Sequence, residues 1–308
     1  MKITGSFVAL ITPLHHDKID VEALQGLVQW HSQQGTDGLV VLGSTGISSL
    51  LEVHERKEVL QTVVRTNAAL KKKMKIIAGC GPFSTRDVQK EAKMAADSGV
   101  DALMLSAPCY VKPTQEGLFK HFVNVSETVS LPFVIYNNPG RACINLQLGT
   151  LIRMCDTMPQ IVAIKDSTSD LSRVSFLQSN LKGRVTLLAG DDAVNLGFLA
   201  QGGDGTISVT ANVFPGAMKA FVKAWQEGNI QEASRIHQVL GPVHEQMFCE
   251  PNPCPAVFAL AQAGKVHNEV RLPLLPVEQE SASAQAIEEA VQEATQNIAG
   301  PTRYRYVG

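Results

Sequence analysis

Eight short apolar runs, at residues 6–11, 39–42, 75–78, 102–105, 133–136, 161–164, 185–188 and 205–209, alternate with segments of helical spacing. This alternation constrains the fold more than any other feature of the chain. Runs such as Ala102-Leu103-Met104-Leu105 and Phe133-Val134-Ile135-Tyr136 are apolar at successive positions, not at every second one. A strand of that kind buries both of its faces, which calls for a parallel sheet covered by helices. Between the runs, Val21, Leu24 and Val28 fall on one helical stripe, and a further stretch begins at Ser84, with Asp87 at capping distance, and stops at Gly99. Eight such βα units predict an α/β fold, a (β/α)8 TIM barrel over residues 1–214. An open doubly wound sheet would normally carry G-x-G-x-x-G in its first turn, and the sequence has no such stretch there. Residues 215–298 read as further helices, a C-terminal helical extension, and residues 299–308 as a loose tail.

A short internal repeat supports the same architecture. Gln34-Gly35-Thr36-Asp37-Gly38-Leu39, Gln201-Gly202-Gly203-Asp204-Gly205-Thr206 and the looser Ser98-Gly99-Val100-Asp101-Ala102-Leu103 each precede an apolar run. In each, a helix ends at a glycine suited to the left-handed position after the cap, and a tight loop leads into a strand.

Composition narrows the function classes. With 27 Lys+Arg against 29 Asp+Glu, the chain has no basic excess to attract nucleic acid or an anionic membrane. No apolar run reaches the ~18 residues of a membrane span, and the first residues enter a strand pattern without a leader, so the expected location is the cytoplasm. The six cysteines show neither CxxC spacing nor a metal pattern and read as reduced thiols.

In a (β/α)8 barrel the chemistry belongs at the C-terminal ends of the strands. There the sequence places Gly43-Ser44-Thr45-Gly46 after the second run, Ala107-Pro108-Cys109-Tyr110 after the fourth, Tyr136 at the end of the fifth with Arg141 five residues on, and Lys165 at the end of the sixth. Each has an ordinary reading: a turn, a core tyrosine with a wet hydroxyl, a solvated arginine, a lysine whose stem covers core. Lys165 also admits a chemical one. Burial disfavours an ammonium, and a free amine on a flexible stem condenses with a ketone to a Schiff base. Coincidence on neighbouring strand ends favours the chemical reading.

These strand-end residues, taken with Gly5-Ser6-Phe7-Val8-Ala9-Leu10-Ile11-Thr12-Pro13, Tyr136-Asn137-Asn138-Pro139-Gly140-Arg141, Gly190-Asp191-Asp192, Ile207-Ser208-Val209-Thr210-Ala211-Asn212-Val213 and Glu250-Pro251-Asn252-Pro253, resemble the dihydrodipicolinate synthase / N-acetylneuraminate lyase family. The resemblance runs to about residue 275, and an arginine at Arg141 resembles the synthase branch. It implies that Lys165 condenses with pyruvate and that the resulting enamine attacks aspartate 4-semialdehyde. Thr45, Tyr136 and Tyr110 would form a proton-relay triad, with Tyr110 reaching into a neighbouring subunit of a homotetramer built as a dimer of dimers. Arg141 would bind the semialdehyde carboxylate; the Ser44–Thr45 turn and the backbone near Ile207 would hold the pyruvate carboxylate. No cofactor beyond the covalent Schiff base and no metal is expected.

The departures from the family pattern are Ile47, where an acid is usual, and Val53, Arg56, Phe83 and Cys109 at positions resembling a lysine-binding regulatory site. Ile47 puts the polarity around the turn in question, and the other four predict weak or absent inhibition by lysine. Two alternatives stay open: an aldolase or lyase for another 2-oxo acid, and a non-catalytic barrel, whose expected mark, loss of Lys165 or of a triad hydroxyl, is absent.

Overall fold

In the computed structural model, which describes residues 1–81 and 84–298, the eight expected runs are all strands and pair side by side into one closed parallel barrel. They are β1 (Gly5–Ala9), β2 (Gly38–Val41), β3 (Lys75–Cys80), β4 (Ala102–Ser106), β5 (Phe133–Asn137), β6 (Ile161–Asp166), β7 (Thr186–Ala189) and β8 (Gly205–Ser208). Strand β6 runs past Lys165 to Asp166, so the lysine stands inside the strand and not at its close.

Strand alternation sorts the apolar residues into two layers. Phe7 and Ala9 of β1 point inward with Val40, Ile77, Met104, Val134, Ala163, Leu188 and Ile207, which fill the barrel. Their neighbours Val8, Ile135 and Ile164 belong to the larger core between the strands and the helices. That two-sided burial is why the runs are continuously apolar.

The repeated joints share one device. The carboxylates of Asp37, Asp101 and Asp204, each just ahead of its strand, accept from the backbone N–H of Ser6 (2.8 Å), Ile76 (2.7 Å) and Leu187 (2.8 Å) on the preceding strand around the ring. Each acidic side chain thereby takes a donor at the start of a strand that the ladder leaves open. Gly35, at φ 81°, closes helix Val21–Gln34 in the left-handed conformation that the joint needs.

Helix Pro215–Gln226 packs on β1 and on helix Val21–Gln34, closing the outer ring. The expected division at residue 214 assigns this helix to the extension, whereas it packs as the last helix of the ring. Ile230–Gln246 then packs against this helix and against Ala282–Asn297, which also meets Cys254–Gln262. A small antiparallel hairpin of Leu14–His15 with Lys18–Ile19, too short to leave a periodic signal, follows β1. None of the described helices is long and apolar enough to cross a membrane. Phe83 and the expected tail, 299–308, lie outside the described residues.

Candidate active site

Tyr136 and Lys165 are register partners on β5 and β6. Partners across a parallel ladder share a face, and here it is the barrel interior. Lys165 is 4% exposed, and its Nζ lies 4.1 Å from the centre of the Tyr136 ring, where a cation meets the negative face of the π system. Room for the lysine comes from β7's side of the ring: a Cβ on Gly190 would stand 2.8 Å from Lys165 Cε and closer still to Ser167 Oγ. The amine opens into a cavity at the C-terminal ends of the strands whose walls include Ser44, Thr45, Arg141, Val209, His244 and Asn252.

Tyr136 sits under opposing influences. Burial alone would raise its phenol, but the Lys165 charge, hydrogen bonding that includes Asn138, and the Arg141 charge outweigh it and hold the phenol below its ordinary value. Asn138 Nδ2 donates to the Tyr136 hydroxyl at 2.6 Å, while Asn138 Oδ1 accepts from the Arg141 backbone N–H at 3.2 Å and caps the short helix Pro139–Ala142. One asparagine therefore fixes the phenol and the start of the segment that carries the exposed Arg141.

Thr45 is 2% exposed, and its hydroxyl accepts from Asn252 Nδ2 at 3.0 Å. Arg141 donates to the Asn252 carbonyl at 3.3 Å. Asn252 thus links the β2 turn to the β5 loop from within the helical extension. Among the described residues no hydrogen bond joins Thr45 to Tyr136; each hydroxyl is held by an asparagine instead. Ser44 lines this cavity and a second one, beside β3 and β4, that shares Tyr136, Asn138 and Arg141 with it.

Two expected residues are placed apart from this group. Tyr110, with φ at 68° and 94% exposure, points into solvent and lines neither cavity. Ile207 is packed in the barrel interior, and Val209, two residues on, forms the cavity wall.

A buried polar frame beneath the site was given no role in the sequence reading, although Asn137, Asp192 and Thr210 stand in the motifs quoted there. Asp166 pairs with Arg173 at 3.0 Å and accepts from Asn137 at 3.2 Å and from the Thr168 N–H at 2.9 Å. Asn137 in turn bonds Asn145 (2.9 Å) and the Leu146 N–H (3.0 Å). Asp166 and Asn137 are the neighbours of Lys165 and Tyr136, so this frame fixes both strand ends. On the other side, Asp192 accepts from the backbone N–H groups of Val209 and Thr210, both at 2.9 Å, and His244 Nδ1 lies 2.8 Å from Thr210 Oγ1. Burial pushes His244 down to about 4, so it is neutral near pH 7. The signal available in the sequence was position: polar residues in or beside apolar strands, where burial demands partners.

At the departures, Ile47 is buried in the apolar core with φ at 47°. Val53 is exposed. Arg56 is paired with Glu91 at 2.8 Å, which offsets its charge.

A model of the dihydrodipicolinate synthetase family matches residues 2–294. The 4-hydroxy-tetrahydrodipicolinate synthase of Thermodesulfovibrio yellowstonii is 41% identical over 275 residues, 89% of this chain and 93% of that one. Among solved structures, the 4-hydroxy-tetrahydrodipicolinate synthase of Methylacidiphilum fumariolicum SolV superposes with a TM-score of 0.92 at 35% identity, covering 96% of this chain and 97% of that one. The chloride-inhibited dihydrodipicolinate synthase of Acinetobacter baumannii, complexed with pyruvate, gives a TM-score of 0.91 at 37% identity over 95% of this chain and 99% of that one.

Proposed function

Because the chain belongs to the dihydrodipicolinate synthetase family, we propose that it condenses pyruvate with L-aspartate 4-semialdehyde to 4-hydroxytetrahydrodipicolinate through a Schiff base on Lys165. The observation that carries the reading is the buried Lys165 amine beside the Tyr136 ring, at the floor of a cavity rimmed by hydroxyls and a guanidinium.

The Lys165 amine attacks the pyruvate ketone, and loss of water gives the imine. Proton loss from the methyl group then gives an enamine, whose carbon attacks the aldehyde. The amino group of the semialdehyde adds to the imine carbon and displaces Lys165, closing the ring; the sum is two substrates joined with release of one water. Tyr136, its phenol eased toward ionisation, is the group suited to move protons at each step. Thr45, with Tyr110 from a neighbouring subunit, completes the relay in this reading, and the exposure of Tyr110 favours a partner beyond its own chain. Arg141 binds the semialdehyde carboxylate, and Ser44, Thr45 and the backbone near Ile207 receive the pyruvate carboxylate. The assembly proposed is a homotetramer working in the cytoplasm with no cofactor beyond the imine.

Borohydride reduction in the presence of pyruvate should add one reduced pyruvyl group per chain at Lys165, read by peptide mass spectrometry, and none in Lys165→Ala. Labelling at a different lysine would overturn the mechanism; labelling at Lys165 with no turnover of the semialdehyde would redirect it to another aldehyde. Lysine should inhibit weakly or not at all, since Val53 offers no polar group and Arg56 is engaged by Glu91. Half-inhibition below about a millimolar, equivalent to roughly −4 kcal/mol of binding, would contradict this.

A further inference from the structure

We propose that His15, Asp20 and His267 form a binding site for a divalent transition-metal ion of the Zn2+ class, on the face of the barrel that carries the small hairpin. One ligand atom from each lies within 4.8 Å of the others. The rings of His15 and His267 stack with centres 3.8 Å apart and planes within 10°, and His267 Nε2 stands 3.9 Å from Asp20 Oδ2. Among the described residues, no hydrogen bond occupies a ring nitrogen of either histidine, so both remain available as ligands.

The three residues come from segments far apart in sequence and are held in place before any ion arrives. Glu269 accepts from the backbone N–H groups of His16 (2.8 Å) and Asp17 (2.6 Å), tying the segment that carries His267 to the hairpin that carries His15. The Asp20 N–H donates to Pro13 at 2.9 Å. Asp20 Oδ1 accepts from the Ala23 N–H at 2.9 Å as the cap of helix Val21–Gln34, which leaves Oδ2 turned toward His267. An acceptor bond to one carboxylate oxygen with the other free is the usual support for a metal-binding carboxylate.

Magnitudes favour closure around an ion. With bonds of 2.0–2.1 Å at tetrahedral angles, donor atoms sit about 3.3 Å apart. Contracting from 4.8 Å requires about 1.5 Å of movement and a turn of the stacked rings that brings their in-plane lone pairs together, both within reach of rotamer changes in the two exposed histidines around the half-buried Asp20. Two imidazoles with one carboxylate suit Zn2+, Ni2+ or Cu2+ and disfavour Mg2+ or Ca2+, which select all-oxygen sets. Three protein ligands leave a fourth position for water. The helix N-terminus at Asp20 works against a cation, but that effect is below about 1 kcal/mol at an exposed site, small beside three direct bonds. Glu22 in the first turn offsets it further.

Competition between tag-free full-length protein and a chromophoric chelator for Zn2+ should give one ion per chain. His15→Ala and His267→Ala should each weaken binding at least tenfold. Asp20→Asn should weaken it too while preserving the helix, because asparagine caps as well as aspartate. Equal Zn2+ affinity in all four proteins, each checked as folded by circular dichroism, would overturn the proposal. Co2+ as a second probe separates this site from the cysteines exposed or half-exposed at Cys109, Cys143, Cys155 and Cys249. A spectrum without thiolate charge-transfer bands supports it; such bands, unchanged in His15→Ala, refute it.

Discussion

The role proposed for Arg141 fits a side chain that is anchored at both ends and still open to the cavity. Its backbone is capped by Asn138 and its guanidinium reaches the Asn252 carbonyl, yet the residue is exposed and faces the cavity. Replacement by alanine removes a charge-assisted partner for a carboxylate worth ~1.5–3 kcal/mol. The KM for the semialdehyde should therefore rise roughly 10–150-fold, while borohydride trapping of pyruvate persists. Steady-state kinetics with each substrate varied in turn checks this; loss of trapping with an unchanged semialdehyde KM would reassign Arg141 to pyruvate.

The turn after β2 shows how an element balances strain against burial. Leu42 and Ile47 flank Gly43-Ser44-Thr45-Gly46 with φ values of 60° and 47°, a conformation that a β-branched residue adopts at a cost of ~1–2 kcal/mol. Ile47 recovers that cost by sitting 4% exposed in the main core. Ile47→Gly would relieve the strain but lose a buried side chain worth ~2–5 kcal/mol. Burial should win, and urea denaturation should report a net loss of about 1–3 kcal/mol. An unchanged midpoint would mean that the turn relaxes to fill the space. The apolar contact also explains how the turn dispenses with an acid here: the structure anchors it by packing, and by the Thr12 hydroxyl donating to the Gly46 carbonyl at 2.8 Å.

At the scale of the whole molecule, acid should unfold the protein through its buried histidines. Burial, with the Lys265 charge, pushes His31 down to about 3, and burial pushes His121 and His244 down to about 4. His31 Nδ1 lies 3.0 Å from Thr36 Oγ1, beside the first αβ joint. For each, the folded pKa is below the unfolded value near 6.5, so as pH falls below about 6.5 the unfolded state takes up protons first and stability declines. The loss continues down to about pH 4 for His121 and His244 and about pH 3 for His31. Each contributes up to ~1.4 kcal/mol per pH unit. Urea unfolding of His31→Gln at several pH values should show a shallower decline between pH 6 and 4 than the parent protein. Parallel slopes would mean that His31 gains a proton without unfolding the chain.

The order and number of strands, the parallel barrel and the meeting of Lys165 with Tyr136 were determined by the sequence alone, because each is encoded locally. Continuous apolar runs specify strands buried on both faces, glycines such as Gly35 specify where a helix must stop, and neighbouring strand ends in a barrel share one mouth. Tertiary structure alone decided the partners. Asn252 reaches Thr45 across 207 positions, Glu269 reaches His16 across 253, and Arg173 closes on Asp166 seven residues back by entering the core. The hydroxyls of Thr45 and Tyr136 were expected to serve one relay, and the folded chain gives each its own asparagine. Periodicity records which face of an element is buried, whereas the bonding of a buried polar group depends on what barrel closure brings against it, and no local pattern carries that information.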